Sequence, residues 1–315
     1  MRSYAIYQLD AFTATPFGGN PAGVVPDARG LTEEAMRLIA REMNVSETAF
    51  VFPSPRADFR VRFFTPAREV DLCGHATIAT FWLLAVCGRL PAGRTRFTQE
   101  TGAGILPVEV SGRPGHPQRV MMAQAPPQVL GEVDPAEVAP LLGADPAGLA
   151  RTGLPLQVVS TGLPDLLVPL PSLAALHSLR PDHARLAAWC RARDIVSVHA
   201  FCFETVDPAA LVHTRDFAPA AGIPEEAATG TANGALGAYL ALNRAVAVPP
   251  ASPDGTAVLS FLAEQGHILG RESRIEVEVD MHLSRVEGVR VGGQAVEVLR
   301  GTVTVPELPG PDRRL

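Results

Sequence analysis

Three short stretches carry side chains able to handle a proton or an anion: Ser46-Glu47-Thr48, Cys73-Gly74-His75 and Thr229-Gly230-Thr231. Glu47 stands where a helical pattern gives way to the apolar run Ala49-Phe50-Val51-Phe52. A lone carboxyl entering a core strand is partly stripped of water, a setting that suits it to take and return a proton. Read alone, it is more simply a capping or surface Glu. The other two stretches put a Gly at the head of a small, apolar run, Ala76 to Val86 and Ala232 to Leu242. The first four N–H groups of a helix lack partners inside it, and the helix dipole adds positive character there. Such a start can hold an anion, or an oxygen becoming one. Alone, each reads as an ordinary Gly turn, with His75 as a cap in the first. Two in corresponding positions, in halves that faced each other, would aim at one cleft suited to a carboxylate or an enolate.

Several other chemistries find no support. All 27 basic residues are Arg, and without Lys there is neither a Schiff base on a side chain nor a P-loop lysine. Gly18 to Gly23 lacks the Lys-Ser/Thr of a P-loop, and Gly102-Ala103-Gly104 lacks the third glycine of a dinucleotide fingerprint. Ser46 sits in no Gly-x-Ser-x-Gly and has no evident Asp–His pair. Cys73, Cys87, Cys190 and Cys202 are far apart, and the eight His show no ligand spacing, so neither a metal site nor a disulfide scaffold is expected. A net charge of -6 with no basic face argues against nucleic acid and anionic membranes as partners. The longest apolar run, Ala76 to Cys87, has 12 residues against the roughly 20 of a membrane helix. Met1 to Asp10 lacks a secretion pattern, which makes the cytoplasm the expected compartment.

The elements that must position these residues read as a duplication. A length of 315 residues suggests two domains at about 150 each. Arg62-Phe63-Phe64-Thr65-Pro66 returns 153 residues on as Arg215-Asp216-Phe217-Ala218-Pro219, and Cys73-Gly74 returns 156 on as Thr229-Gly230. Glu100-Thr101-Gly102 faces Glu264-Gln265-Gly266, Gly19-Asn20-Pro21 faces Gly162-Leu163-Pro164, and Arg41-Glu42-Met43 faces Arg193-Asp194-Ile195. The halves meet near Ala125-Pro126-Pro127. Strands are expected at Tyr4 to Phe12, Ala49 to Phe52, Phe59 to Phe64, Phe97 to Val110, Val158 to Pro169 and Val198 to Thr205. Helices are expected at Leu31 to Met43, capped by Thr32, and at Pro181 to Arg193. The runs after Gly74 and Gly230 have no polar face and read as buried helices, each with a sheet curled around it.

Phe17-Gly18-Gly19-Asn20-Pro21-Ala22, Ser46-Glu47-Thr48-Ala49-Phe50, Cys73-Gly74-His75-Ala76-Thr77 and Phe217-Ala218-Pro219 with Glu225 to Thr231 resemble, in order and across nearly the whole chain, the PhzF family of phenazine biosynthesis. The resemblance implies an α+β, diaminopimelate-epimerase-like fold of two pseudo-symmetric domains, each a mixed sheet curled around a central helix. These would span 1–125, rejoined by a C-terminal strand within 296–315, and 126–295. It also implies a homodimer, no cofactor, and an active site between the domains, where a small carboxylate substrate is expected. The family's best characterised member isomerises trans-2,3-dihydro-3-hydroxyanthranilate. By motif, Glu47 matches the residue that carries the proton, with His75 and Glu226 as further catalytic residues, and Asn20, Cys73, Gly74, Gly230 and Thr231 as substrate-binding residues. Where the family reads Glu-Asp-Pro-Ala-Thr-Gly-Ser, this chain has Glu226 for Asp, Ala227 for Pro and Thr231 for Ser. Racemases of this fold use two thiols. Cys73 holds the first position but Thr229 the second, and a hydroxyl is a far weaker acid than a thiol. Epimerisation by Cys73 and Glu47, or ligand binding without catalysis, are the alternatives.

Overall fold

The computed structural model describes residues 1–283 and 285–306. The protein is α+β and divides into two units. The first comprises Met1–Phe17, Pro21–Met122 and the described residues from Gln294 onward. In chain order it holds β1 (Arg2–Ala11), β2 (Asn20–Val25), α1 (Glu33–Met43), β3 (Glu47–Phe52), β4 (Phe59–Phe64), β5 (Glu69–Val70), α2 (Gly74–Val86), β6 (Arg96–Thr101), β7 (Gly104–Arg113) and β8 (His116–Ala123). The second comprises Gly18–Asn20 and Ala123–Gly293. It holds β9 (Gln128–Glu132), α3 (Pro135–Leu142), α4 (Pro146–Ala150), β10 (Gln157–Ser160), β11 (Pro164–Pro169), α5 (Leu173–Ser178), α6 (His183–Arg191), β12 (Ser197–Cys202), β13 (Val212–Ala218), β14 (Ile223–Glu226), α7 (Gly230–Leu242), β15 (Thr256–Gln265), β16 (Ser273–His282) and β17 (Arg285–Gly293). The last strand, β18 (Ala295–Val305), belongs to the first unit and runs antiparallel to β1.

Each unit repeats one pairing scheme. In the first, β2 pairs parallel with β3, β3 antiparallel with β4, β4 antiparallel with β5 and parallel with β6, and β6, β7 and β8 form an antiparallel meander. In the second, β11 pairs parallel with β12, β12 antiparallel with β13, β13 antiparallel with β14 and parallel with β15, and β15 to β17 form the meander. Four of the five repeated sequence stretches fall on corresponding parts of this scheme; the fifth is out of step, Arg41–Met43 closing α1 while Arg193–Ile195 lies beyond the end of α6. Arg62 and Arg215 lie on β4 and β13, and Cys73 and Thr229 precede α2 and α7.

Helices α2 and α7 are central because they have no side to give to water. Ten of the 13 residues of α2 are buried, and it packs against β1, β3, β7 and β18 of its own unit. Its two buried Thr hydroxyls stay satisfied by donating back along the helix, Thr77 to Cys73 O at 2.8 Å and Thr80 to Ala76 O at 2.6 Å. By contrast α1 is amphipathic. Thr32 Oγ1 accepts from Ala35 N at 3.2 Å, and Met36, Ile39 and Ala40 bury against Val25, Phe50 and Phe64. Each large side chain buried there stabilises the fold by roughly 1.5–3 kcal/mol.

Two sequence expectations are corrected. Phe97 to Val110 is a hairpin rather than one strand: β6 and β7 pair Thr101 with Gly104 and turn between them. Val158 to Pro169 is likewise two strands, β10 and β11, paired antiparallel from Ser160 and Pro164 back to Gln157 and Leu167. The units divide after Met122 and after Gly293, and Gly18–Asn20 goes with the second. Among the described residues, no helix is long and apolar enough to cross a membrane.

Candidate active site

Seven α-helices are described, and five have an N-cap side chain accepting a first-turn N–H: Thr32, Asp134, Asp145, Ser172 and Asp182. The N-cap side chains of the other two, Cys73 on α2 and Thr229 on α7, make no capping bond. A fold that caps its other helices leaves the first-turn donors of these two to other partners. They are the two Gly-headed helices that the sequence singles out.

In the first unit, β3 and α2 bring Glu47, Cys73 and His75 together. Glu47 opens β3, where parallel pairing sets it beside Ala22. The Cys73 Sγ lies 3.5 Å from Glu47 Oε2 and 3.5 Å from His75 Nδ1. His75 Nε2 lies 3.2 Å from the same Glu47 oxygen. The Glu47 side chain keeps 14% of its surface exposed and that of His75 keeps 9%, so the carboxylate is shielded but reachable. Burial holds the His75 ring below the ordinary imidazole value, only partly offset by the negative charge of Glu47. The ring is therefore neutral at pH 7. A hydrogen on Nε2 faces Glu47 Oε2, which also accepts from the Cys73 thiol.

The approach to α2 is shaped by a close backbone contact. Ala103 N donates to Asp71 O at 3.3 Å, and a Cβ on Gly102 would stand 2.9 Å from the Asp71 Cα. Only glycine allows the β6–β7 turn to brace the segment before Cys73 so closely. Gly74 is different. A Cβ there would meet only the Met122 Cε, at 3.7 Å. Packing does not demand glycine at the head of α2.

In the second unit, Asn20 and Glu226 meet. Asn20 Nδ2 donates to Glu226 Oε1 at 2.5 Å and to Ala228 O at 3.0 Å. Both amide hydrogens are thereby committed, and Asn20 braces Glu226 and the segment leading to α7. Arg271 holds the Gly18–Asn20 stretch through Gly19 O at 2.9 Å and Gly18 O at 2.8 Å. Gln265 fixes the start of α7: its Oε1 accepts from Thr229 N at 3.2 Å, and its Nε2 donates to Thr229 Oγ1 at 3.1 Å. Gly230 O accepts from Gln124 and Thr231 O from Thr161, at 3.1 and 3.3 Å.

Strand register aligns the two units residue by residue. Thr48 pairs with Phe64 as Val198 pairs with Phe217, and Glu47 pairs with Ala22 as Ser197 pairs with Asp165. The counterparts of Glu47, Cys73 and His75 are thus Ser197, Thr229 and Thr231. The second copy has neither a carboxyl, a thiol nor an imidazole at these positions. Among the described residues, two donor groups suit a metal ion by composition and proximity: Glu47, Cys73 and His75, and, in the second unit, His213, Glu264 and His267. Sequence spacing gave no sign of the latter, because parallel pairing of β13 with β15 assembles it across 51 residues.

Comparison with known proteins gives the family. The family model described as phenazine biosynthesis-like protein matches residues 9–301. An uncharacterized isomerase of Clostridium acetobutylicum is 37% identical over 311 residues, covering 97% of this chain and 99% of that protein. The trans-2,3-dihydro-3-hydroxyanthranilate isomerase of Pseudomonas aeruginosa is 32% identical over 302 residues, covering 96% and 99%. The crystal structure of the Bacillus anthracis PhzF-family protein matches with a TM-score of 0.86 at 33% identity, covering 97% of this chain and all of that one. A hydroxyproline epimerase from Agrobacterium vitis shares the fold alone, with a TM-score of 0.63 at 15% identity over 96% of this chain and 91% of its own. The chain belongs to the phenazine biosynthesis-like (PhzC-PhzF) family and is an enzyme of the isomerase class.

Proposed function

We propose that this isomerase moves a proton between two carbons of a small carboxylate, without a cofactor and with Glu47 as its one acid and base. The reaction is of the kind for which the Pseudomonas aeruginosa relative is named. The observation that supports this most is Glu47 Oε2 beside His75 and Cys73, at the start of a helix whose N-cap side chain takes none of its first-turn donors.

Glu47 withdraws a proton from a carbon next to a carbonyl or a double bond. The electron pair of that C–H bond moves into the conjugated system, and negative charge grows at its far end. First-turn N–H groups of α2 receive that charge, and one well-placed donor contributes about 2.7–4 kcal/mol to such a step. Glu47, now a carboxylic acid, returns the proton to the other carbon as the electron pair shifts back. No group leaves, and nothing is oxidised or reduced. A neutral His75 orients the carboxylate without neutralising it, whereas an imidazolium would weaken it as a base.

Epimerisation by Cys73 and Glu47 needs the reacting carbon between the two bases. With reacting atoms about 3–3.5 Å apart on each face, the bases would stand roughly 6–7 Å from one another. Sγ and Oε2 are 3.5 Å apart, which favours a single base. The test is Glu47→Gln, assayed with small unsaturated carboxylates in heavy water. Loss of isomerisation and of deuterium uptake by 10²–10⁴-fold is expected for removal of a general base. Unchanged turnover rules the mechanism out, and ligands that bind to wild type without ever exchanging a proton point to a binding protein instead.

A further inference from the structure

Four side chains with no part in the proposed proton transfer gather in the second unit. His213 on β13 and Glu264 on β15 are direct partners in the parallel pairing of those strands. Just beyond, the chain turns at Gly266, whose φ is +85°, and a Cβ there would stand 2.3 Å from Arg271 O and 2.6 Å from Ala227 O. Only glycine fits. The turn opens a 3-10 helix, His267–Leu269, and carries His267 back over Glu264, with Nε2 3.8 Å from Oε2. His213 Nδ1 lies 2.6 Å from Glu264 Oε1. One donor atom from each of the three lies within 4.8 Å of the other two. His177 on α5 brings its Nε2 to 3.1 Å from His213 Nε2. His213 and Glu264 are buried, and His267 Nδ1 is buried without a hydrogen-bond partner among the described residues.

We propose that His213, Glu264 and His267 bind a divalent transition-metal ion of the zinc or cobalt type, with His177 as the outer partner of His213. Two imidazoles and a carboxylate are a donor set that such ions take, with metal–nitrogen distances of about 2.0–2.1 Å. Tetrahedral donors then stand about 3.3 Å apart, so His267 moves roughly half an ångström inward from its present 3.8 Å, and His213 Nδ1 and Glu264 Oε1, now 2.6 Å apart, part by about 0.7 Å. The ion replaces the proton on His213 Nδ1. The ring hydrogen then sits on Nε2 and is donated to His177, the kind of outer bond that fixes a ligating imidazole. Glu264 is already oriented by Val206 N at 2.5 Å and Asp207 N at 2.9 Å. An ion here ties the 206–207 loop, two strands and the Gly266 turn together.

Tag-free wild type and Cys73→Ala, stripped with a chelator and desalted, are titrated with Co²⁺ alone. The readouts are visible absorption and the ion retained after gel filtration. One ion per chain is expected in both, without a thiolate-to-cobalt charge-transfer band. Affinity should fall at least tenfold in His267→Gln, and 10–100-fold in His177→Gln, the range seen when an outer partner of a metal ligand is removed. The second variant decides the matter should the first fail to fold. Absence of stoichiometric binding overturns the proposal. So does binding that Cys73→Ala abolishes and His267→Gln retains, which would put the ion at Glu47, Cys73 and His75.

Discussion

Replacing Gly74 by Ala adds one methyl group at the first residue of α2. The added carbon would meet only the flexible end of Met122, at 3.7 Å, and Gly74 does not occupy the left-handed region. Ala restricts the unfolded chain more than Gly does, so the variant should fold as well as wild type or more stably by about 0.4–1 kcal/mol. For a chain of this size that raises Tm by roughly 1–4 °C. The chemistry should respond in the opposite sense. The methyl is added at the turn whose N–H groups are assigned to the developing negative charge, where it meets only Met122. A ligand oxygen displaced by a carbon's width loses a donor, and loss of one such donor costs about 10²–10³ in kcat. Thermal unfolding and the deuterium-uptake assay are run on the same preparation. Full activity with a raised Tm would show that charge is not held at this turn. A lowered Tm would show that packing, not chemistry, requires the glycine.

Cys73→Ala should reduce turnover by less than about tenfold, since the thiol only adjoins Glu47, whereas a two-base mechanism predicts near-total loss; steady-state rates separate the two. Thiol labelling of the native protein should modify the exposed Cys87 readily, and Cys190 and Cys202 only on unfolding, because both are buried and burial pushes their thiols up to about 11 and about 12. His75 sits below the ordinary imidazole value, so under acid the unfolded chain binds a proton that the folded chain refuses. Stability is then complete above about pH 6.5 and falls toward the folded value by up to about 1.4 kcal/mol per pH unit, a slope that urea melts should find reduced in His75→Gln.

What the sequence reveals depends on how local the cause is. Thr32 with Glu33 and Glu34 is a complete helix start within three residues, and α1 begins there. The unbroken apolar run after Gly74 could only be a buried helix, and it is. The β6–β7 turn was hidden because Thr101 to Gly104 interrupts an alternating pattern for just two residues. Helices α3 to α5 are short and Pro-headed or Ser-capped, too brief for a periodicity to declare itself. The meeting of Glu47 with His75 was readable only through motif, since nothing local says that a strand start and a helix start 28 residues apart share a corner. His213 and Glu264 had no such help, because their proximity is created by strand order alone.

The divergence of the two copies is sharpest at the counterpart of Glu47. Ser197 Oγ lies 2.8 Å from Asp165 Oδ1 and 2.8 Å from Asp216 Oδ1, and His199 Nδ1 lies 3.0 Å from that same Asp216 oxygen. One hydroxyl hydrogen cannot serve two carboxylates, so one of the acids carries a proton. Asp165 is that acid: burial and the neighbouring Asp216 charge push it well above the ordinary carboxylate range. Where the first copy keeps a reachable carboxyl, the second seals a hydroxyl inside a polar cluster and so has no counterpart to the proposed base. Asp165→Asn tests this proton count, because an amide can donate to Ser197 as the protonated acid does. A raised carboxyl stabilises the fold fully below its unfolded value, near pH 3.9, and loses that contribution as pH climbs through the folded value. The amide does not titrate. Its stability relative to wild type should therefore grow by up to about 1.4 kcal/mol per pH unit across that interval and then level off. Urea melts of the two proteins from pH 4.5 to 9 measure it, and a difference that stays flat or shrinks would mean that Asp165 carries no proton in the folded chain.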